Sequence, residues 1–205
     1  MSETGVQMST RLPGGDVFAL EWPSLDRLPG HVDALRRGWS PNTVVNVAAQ
    51  ELAQVEADPA AFVASRVDRE ASGPPVEMPD GTRAARLPGF FRWVWNSEED
   101  CFAGSINFRW QRGSSALPPH VLGHLGYAIV PWQRGRGAAT RALALLLADL
   151  PAEDAALDAV IVTTDPDNVP SQRVIEANGG VLIERFNQPA AFGGGPGLRY
   201  RIALR

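Results

Sequence analysis

Lysine is absent from this 205-residue chain, so all 19 of its basic residues are arginine. That excludes a Schiff base on a lysine side chain and a nucleotide loop closed by lysine. Against these stand 23 acidic residues, for a net charge of −4. Such a chain lacks the clustered positive field that holds nucleic-acid backbones. There is one cysteine, Cys101. An intramolecular disulfide is therefore impossible, and a cysteine-based zinc site is disfavoured. No apolar run approaches the roughly 20 residues of a membrane-spanning helix. Met1 to Gly15 is polar and has no hydrophobic segment of the signal-peptide kind. The expectation is a cytoplasmic protein with no nucleic-acid partner, no membrane partner and no metal.

What is present is enough apolar residue, 44%, to build a real core. The length suits one domain: a flexible N-terminus over 1–15, then a single domain over 16–205. Val17 to Leu20 reads as a short strand. A broken or short helix over Ser24 to Arg37 contains Pro29-Gly30. Ser40-Pro41-Asn42 reads as the start of a second helix, with Val44, Val47, Ala48, Leu52 and Val55 at helical spacing. A third fits Pro59 to Arg69. Turn signals at Gly73-Pro74-Pro75 and Pro79-Asp80-Gly81 then mark a change of pattern. Phe90 to Trp95, Cys101 to Trp110 and Val121 to Val130 read as strands. A helix to Leu150 buries Leu143, Leu146, Leu147 and Leu150. Ala159 to Thr164 is an apolar run suited to a strand covered on both faces. A helix over Asn168 to Ala177 ends at Asn178-Gly179-Gly180, and strands follow at Val181 to Phe186 and Leu198 to Leu204. This order predicts an α/β fold: a mixed, mostly antiparallel central sheet flanked by helices, with a helical N-terminal section.

The most informative stretch runs from Gly123 to Thr140. A strand enters a glycine-rich turn, Arg134-Gly135-Arg136-Gly137, which opens directly into a helix. Glycines let the backbone approach a ligand, and the amides at the helix start point outward with partial positive charge. Two arginines add full charges. A lysine-closed phosphate loop is excluded because Ala138 follows Gly137. A dinucleotide fingerprint is disfavoured because the turn comes late in the chain and lacks the third glycine at Thr140.

Arg134-Gly135-Arg136-Gly137-Ala138-Ala139 resembles the acyl-CoA pyrophosphate loop of the GNAT family of N-acetyltransferases. Asp165-Pro166-Asp167-Asn168-Val169-Pro170-Ser171, followed by Arg173 to Gly180, resembles that family's second motif. The resemblance covers about residues 90–205. Gly123 to Tyr127 and Asn178 to Leu182 are similar to a bacterial subgroup known only as predicted acetyltransferases. The resemblance implies a GNAT-like acyl-CoA fold and acetyl-CoA as co-substrate, with transfer to an amine acceptor by direct attack in a ternary complex. It implies that the backbone of Gly135, Arg136, Gly137, Ala138, Ala139 and Thr140 wraps the pyrophosphate beside Arg134. Ala128, Ile129 and Val130 would pair with pantetheine, one N–H holding the thioester carbonyl, and Asn168 and Ser171 would sit beside the CoA arm. Asn168 also reads as a helix N-cap. The acceptor is a small molecule or a peptide amine, and a homodimer remains open.

The pattern also departs from the family. Many members place a tyrosine seven residues after the motif asparagine, as an acid for the leaving thiolate; here that residue is Ile175. A thiol pKa of about 8.5 makes thiolate a tolerable leaving group without it. His124 lies ten residues before Arg134, where related enzymes carry a carboxylate base, and a neutral imidazole can serve in that role. A strand histidine with a satisfied hydrogen bond is the alternative. Tyr127 is a second catalytic candidate, on the opposite strand face by alternation. His120 and Asp165 are weaker candidates, and His31 reads as a surface residue. Trp93, Trp95 and Trp110 suit core packing, with an acceptor pocket as the alternative, and Glu98 and Glu99 read as solvated turn charges. A non-catalytic acyl-CoA sensor is the rival function.

Overall fold

The computed structural model describes residues 17–77, 81–192 and 194–204. The segment expected to be flexible, 1–15, and the turn residues Pro79-Asp80 lie outside the described residues. A hairpin forms the centre of the first sheet. Strand β5 (Gly89–Asn96) and strand β6 (Cys101–Arg109) pair antiparallel around a polar turn. Strand β1 (Phe18–Glu21) and the short β2 (Val67–Asp68) pair with β5, and β7 (Leu125–Ile129) pairs with β6. A small separate hairpin joins β3 (Val76–Glu77) and β4 (Arg83–Ala84). The second sheet has the order β8 (Ala159–Thr164), β10 (Pro196–Ala203), β9 (Val181–Asn187), all antiparallel.

Two helices bind the sheets together. Helix α4 (Ala138–Asp149) crosses from β7 to β8, and α5 (Val169–Ala177) links β8 to β9. The leucines of α4 behave as their spacing requires: Leu143, Leu146 and Leu150 are fully buried, while Leu147 packs at the core margin. They meet Phe108, Trp110, Val160 and Ile202 in one cluster that draws side chains from both sheets. The N-terminal helices α1 (Leu28–Arg36), α2 (Ala48–Ala57) and α3 (Pro59–Ala64) cover Trp93, Trp95 and Phe102 in a second cluster. Among the described residues no helix is long and apolar enough to cross a membrane.

Several boundaries differ from the sequence expectation, each for a local reason. Ser40-Pro41-Asn42 does not start a helix. The Asn42 side-chain oxygen accepts from the amides of Val44 and Val45, and the Ser40 hydroxyl accepts from that of Val47. Those side chains satisfy the backbone in a loop instead, and α2 begins only at Ala48. The third helix stops at Ala64 because the chain beyond it joins β5, with Phe91 N–H donating to the Arg66 carbonyl. The strand expected from Val121 begins at Leu125, after a turn closed by Val121 N–H on the Pro118 carbonyl.

His31 is not a surface residue. It is 2% exposed, stacked on Trp93 and ringed by Trp39, Phe62 and Phe102. Its Nε2 lies 3.0 Å from Glu51, whose other oxygen accepts from Arg66 at 2.9 Å. The helical spacing of α1 places this ring inward, and a carboxylate from α2 makes its burial tolerable.

Candidate active site

The site begins where two sheets part. β7 is the last strand of one sheet and β8 the first of the other. Among the described residues, hydrogen bonds join them at one place, just ahead of β7: His124 N–H donates to the Ile161 carbonyl at 2.8 Å, and Ile161 N–H donates to His124 Nδ1 at 2.9 Å. Beyond that clamp β7 pairs only with β6, and β8 only with β10. Val130 N–H donates to Ala103, and the His124 carbonyl accepts from Arg109. Antiparallel alternation then turns the amides of Tyr127 and Ile129 away from β6, to the open edge of β7. Each open strand edge exposes ladder groups that an extended ligand can satisfy.

His124 is fully buried, with its ring stacked near Phe108. Burial, together with the nearby Arg109 charge, pushes its pKa down to about 4. The ring is therefore neutral at pH 7. With Nδ1 accepting from Ile161, the ring proton resides on Nε2, and neither nitrogen offers a free lone pair. Nε2 has no partner among the described residues.

At the far end of β7 the chain turns through Arg134 to Gly137 into α4. Gly135 and Gly137 have φ of +73° and +83°, and a Cβ built on either meets nothing within 4 Å. The left-handed backbone demands glycine, and the space above it is open to a ligand. The amides of Ala138, Ala139 and Thr140 lack intrahelical acceptors, as in the first turn of any helix, and among the described residues no side chain caps α4, so they offer an anion site. Both arginines are anchored. Arg134 Nε donates to the Ile129 carbonyl at 3.0 Å. Arg136 donates to the side chain of the buried Gln133 at 2.9 Å and pairs with Glu99 at 2.7 Å.

Glu99 is thus not simply solvated. Gln133 also donates to it at 2.6 Å, and this hydrogen bond and the Arg136 charge hold its carboxyl below the usual range. Asn96, wholly buried, donates to Gln133 from the same turn. These residues, which the sequence reading left unlinked, brace the glycine turn against the β5–β6 hairpin.

Across the fork, Asn168 caps α5 by accepting from Ser171 N–H at 3.2 Å. The Ser171 hydroxyl lies 2.9 Å from that of Tyr127, which also donates to the Ser171 carbonyl at 3.3 Å. Burial pushes the Tyr127 phenol up to about 12. Ile175 is fully buried in the core. Tyr200 reaches Glu176 instead, at 3.3 Å. The structure therefore joins Tyr127 to Ser171 and sends the His124 ring elsewhere, toward β8.

Beyond the end of β8 lies an open cavity of about 560 Å³. Asp165 and Asp167 form one wall, Thr43 and Val44 a second, and Gln188, Phe192 and Pro196 a third. Asp165 and Asp167 belong to the second motif read in the sequence. Thr43 and Val44 come from the α1–α2 loop, Gln188 and Phe192 from the β9–β10 loop and Pro196 from the start of β10, and none of these carries a motif. Trp93 and Trp95 are core residues of the N-terminal cluster, with Trp95 also lining a smaller cavity of about 350 Å³.

The profile of the acetyltransferase (GNAT) domain matches residues 48–181. No curated protein shows significant sequence similarity. Among solved structures, RimJ of Mycobacterium smegmatis in complex with CoA-disulfide has 18% identity and a TM-score of 0.60 over 94% of this chain and 84% of that one. The ribosomal-protein-S5-alanine acetyltransferase of Vibrio fischeri has 12% identity and a TM-score of 0.57, covering 92% and 94%. The microcin C7 self-immunity acetyltransferase MccE, in complex with acetyl-CoA and AMP, has 12% identity and a TM-score of 0.57, covering 97% and 99%. At these identities the structures show a common fold, and the profile, which spans well over half the chain, shows the family. The chain belongs to the GNAT family and is an N-acetyltransferase.

Proposed function

We propose that the chain binds acetyl-CoA in the fork and passes its acetyl group directly to an amine held beside the end of β8. The observation that carries this reading is the fork: two unpaired strand edges diverge from the His124–Ile161 clamp, with the glycine turn and bare helix start at the end of β7. Pantetheine adds along Ala128, Ile129 and Val130, and the Ile129 amide holds the thioester carbonyl. Charge developing on that oxygen strengthens the hydrogen bond in the transition state. The pyrophosphate rests on the amides from Gly135 to Thr140, with Arg134 and Arg136 beside it. His124 serves as the clamp that sets the fork angle, and the amine enters from its neutral fraction in solution.

Attack forms the C–N bond and breaks C–S. The new amide nitrogen sheds its proton and the sulfur gains one, so the two changes balance within the site or through water. Tyr127 and Ser171 stabilise the leaving sulfur by hydrogen bonding. Full proton transfer from a phenol held at about 12 to a thiolate whose acid form titrates near 8.5 would be uphill, so the pair acts as a hydrogen-bond donor. Release of free CoA with a panel of amines tests the reading. Tyr127→Phe and Ser171→Ala should each lower kcat by roughly 10- to 100-fold, with acetyl-CoA affinity within about twofold of wild type. Unchanged kcat in both would remove the hydroxyl pair from the mechanism.

A further inference from the structure

The cavity beyond β8 has a composition that constrains what enters it. We propose that the acceptor is the N-terminal segment of a polypeptide carrying a basic side chain within its first few residues, and that Asp167 selects for it. This rests on the reading above, that the amine approaches through the cavity at the end of β8.

The charge distribution comes first. Asp165 accepts from Gln188 Nε2 at 2.6 Å, whereas the Asp167 carboxylate has no partner among the described residues. No basic side chain is found among the described residues that line the cavity. A carboxylate beside the reacting nitrogen would favour its ammonium form, which cannot attack. The two aspartates are therefore better matched to a second cation on the acceptor, away from the nitrogen that reacts.

The opposite wall is apolar and held outward. Val44, which lines the cavity, and its neighbour Val45 are 58% and 59% exposed. They do not collapse inward because Asn42 binds both their amides and Ser40 binds that of Val47. Phe192, Pro166 and Pro196 extend this surface around the cavity. An exposed valine on a braced loop gains from burial by a ligand. A thin polymethylene amine would leave these walls wet. A peptide end offers side chains for the apolar wall, a basic group for the aspartates, and a continuing chain that leaves through the open side. The volume of about 560 Å³ falls within the roughly 300–1,000 Å³ range of ligand-binding clefts.

The test uses the full chain with acetyl-CoA and three acceptors: the peptides Ser-Val-Arg-Arg-Ala and Ser-Val-Glu-Glu-Ala, and spermidine. CoA release gives the rates and mass spectrometry locates the acetyl group. The basic peptide should be acetylated on its α-amine at least tenfold more efficiently than the acidic one, mainly through KM. Asp167→Asn should shrink that ratio, Asp167→Arg should invert it, and Val44→Asp should raise KM for both peptides. Each variant should keep wild-type affinity for acetyl-CoA. Equal efficiency on the two peptides, or a preference for spermidine, with acetyl-CoA binding intact, would overturn the proposal alone. Loss of acetyl-CoA binding by the unmodified protein would instead overturn the transfer reading beneath it.

Discussion

At the residue scale, His124 shows how one side chain can be decided by its neighbours. Its position ahead of the glycine turn suggested a base, but the Ile161 amide occupies its acceptor nitrogen and burial keeps it neutral. This has a consequence for stability. In the unfolded chain the ring titrates near its ordinary value of 6.5, and in the fold near 4. Between these values the unfolded state binds the extra proton. Stability is thus fully present above about 6.5 and falls as pH drops toward 4, by an amount approaching ~3 kcal/mol. Denaturation midpoints measured from pH 7 to 4 should decline steeply in the wild type and less steeply in His124→Asn. Parallel declines would mean that other groups govern the acid limb.

At the element scale, the helical section is held by a charged network in an aromatic setting. His31 from α1, Glu51 from α2 and Arg66 beyond α3 meet beneath Trp39 and Trp93. Removing Glu51 leaves the buried His31 ring and the half-buried Arg66 guanidinium without their shared carboxylate. Breaking a buried pair in this way costs about 3 kcal/mol. Glu51→Leu should therefore lower the urea midpoint substantially while leaving acetyl-CoA affinity near wild type, because the network's hydrogen bonds join only the helical section and meet β7 through the apolar cluster that also holds Ala128 and Val130. If affinity falls with stability, the helices and the fork are coupled more tightly than their contacts suggest. Helix α5 makes the complementary point: one asparagine caps the helix and so fixes Ser171 where the Tyr127 hydroxyl meets it.

At the scale of the whole molecule, the two sheets share a core through α4 and α5 but part beyond a single clamp. A ligand that adds between β7 and β8 ties them together. Acetyl-CoA at 100 times its Kd should raise stability by about 2.7 kcal/mol. Hydrogen exchange should show new protection at β7 and the first turn of α4, not at β9. Gly137→Val should remove most of the thermal shift, since a branched side chain at a φ of +83° strains the turn that presents the amides. A full shift in that variant would place the pyrophosphate elsewhere.

The strand–turn–helix from Gly123 to Thr140, the α4 leucine face and the capped start of α5 were legible because each is local: period, glycine and cap chemistry act over a few residues. The loop at Ser40-Pro41-Asn42 was misread because its signals suit both a helix start and an Asx-type turn, and only the side-chain bonds to Val44, Val45 and Val47 decide between them. His31, Glu99 and the cavity wall were not legible, since their partners lie on other elements: Glu51 on the next helix, Arg136 beyond two strands, Phe192 after two more. The sequence by itself determined the chemistry available to the ligand's phosphates. Only the tertiary structure decided where the sheets part and which side chains face the gap, because strand separation and burial arise from contacts between segments far apart in the chain.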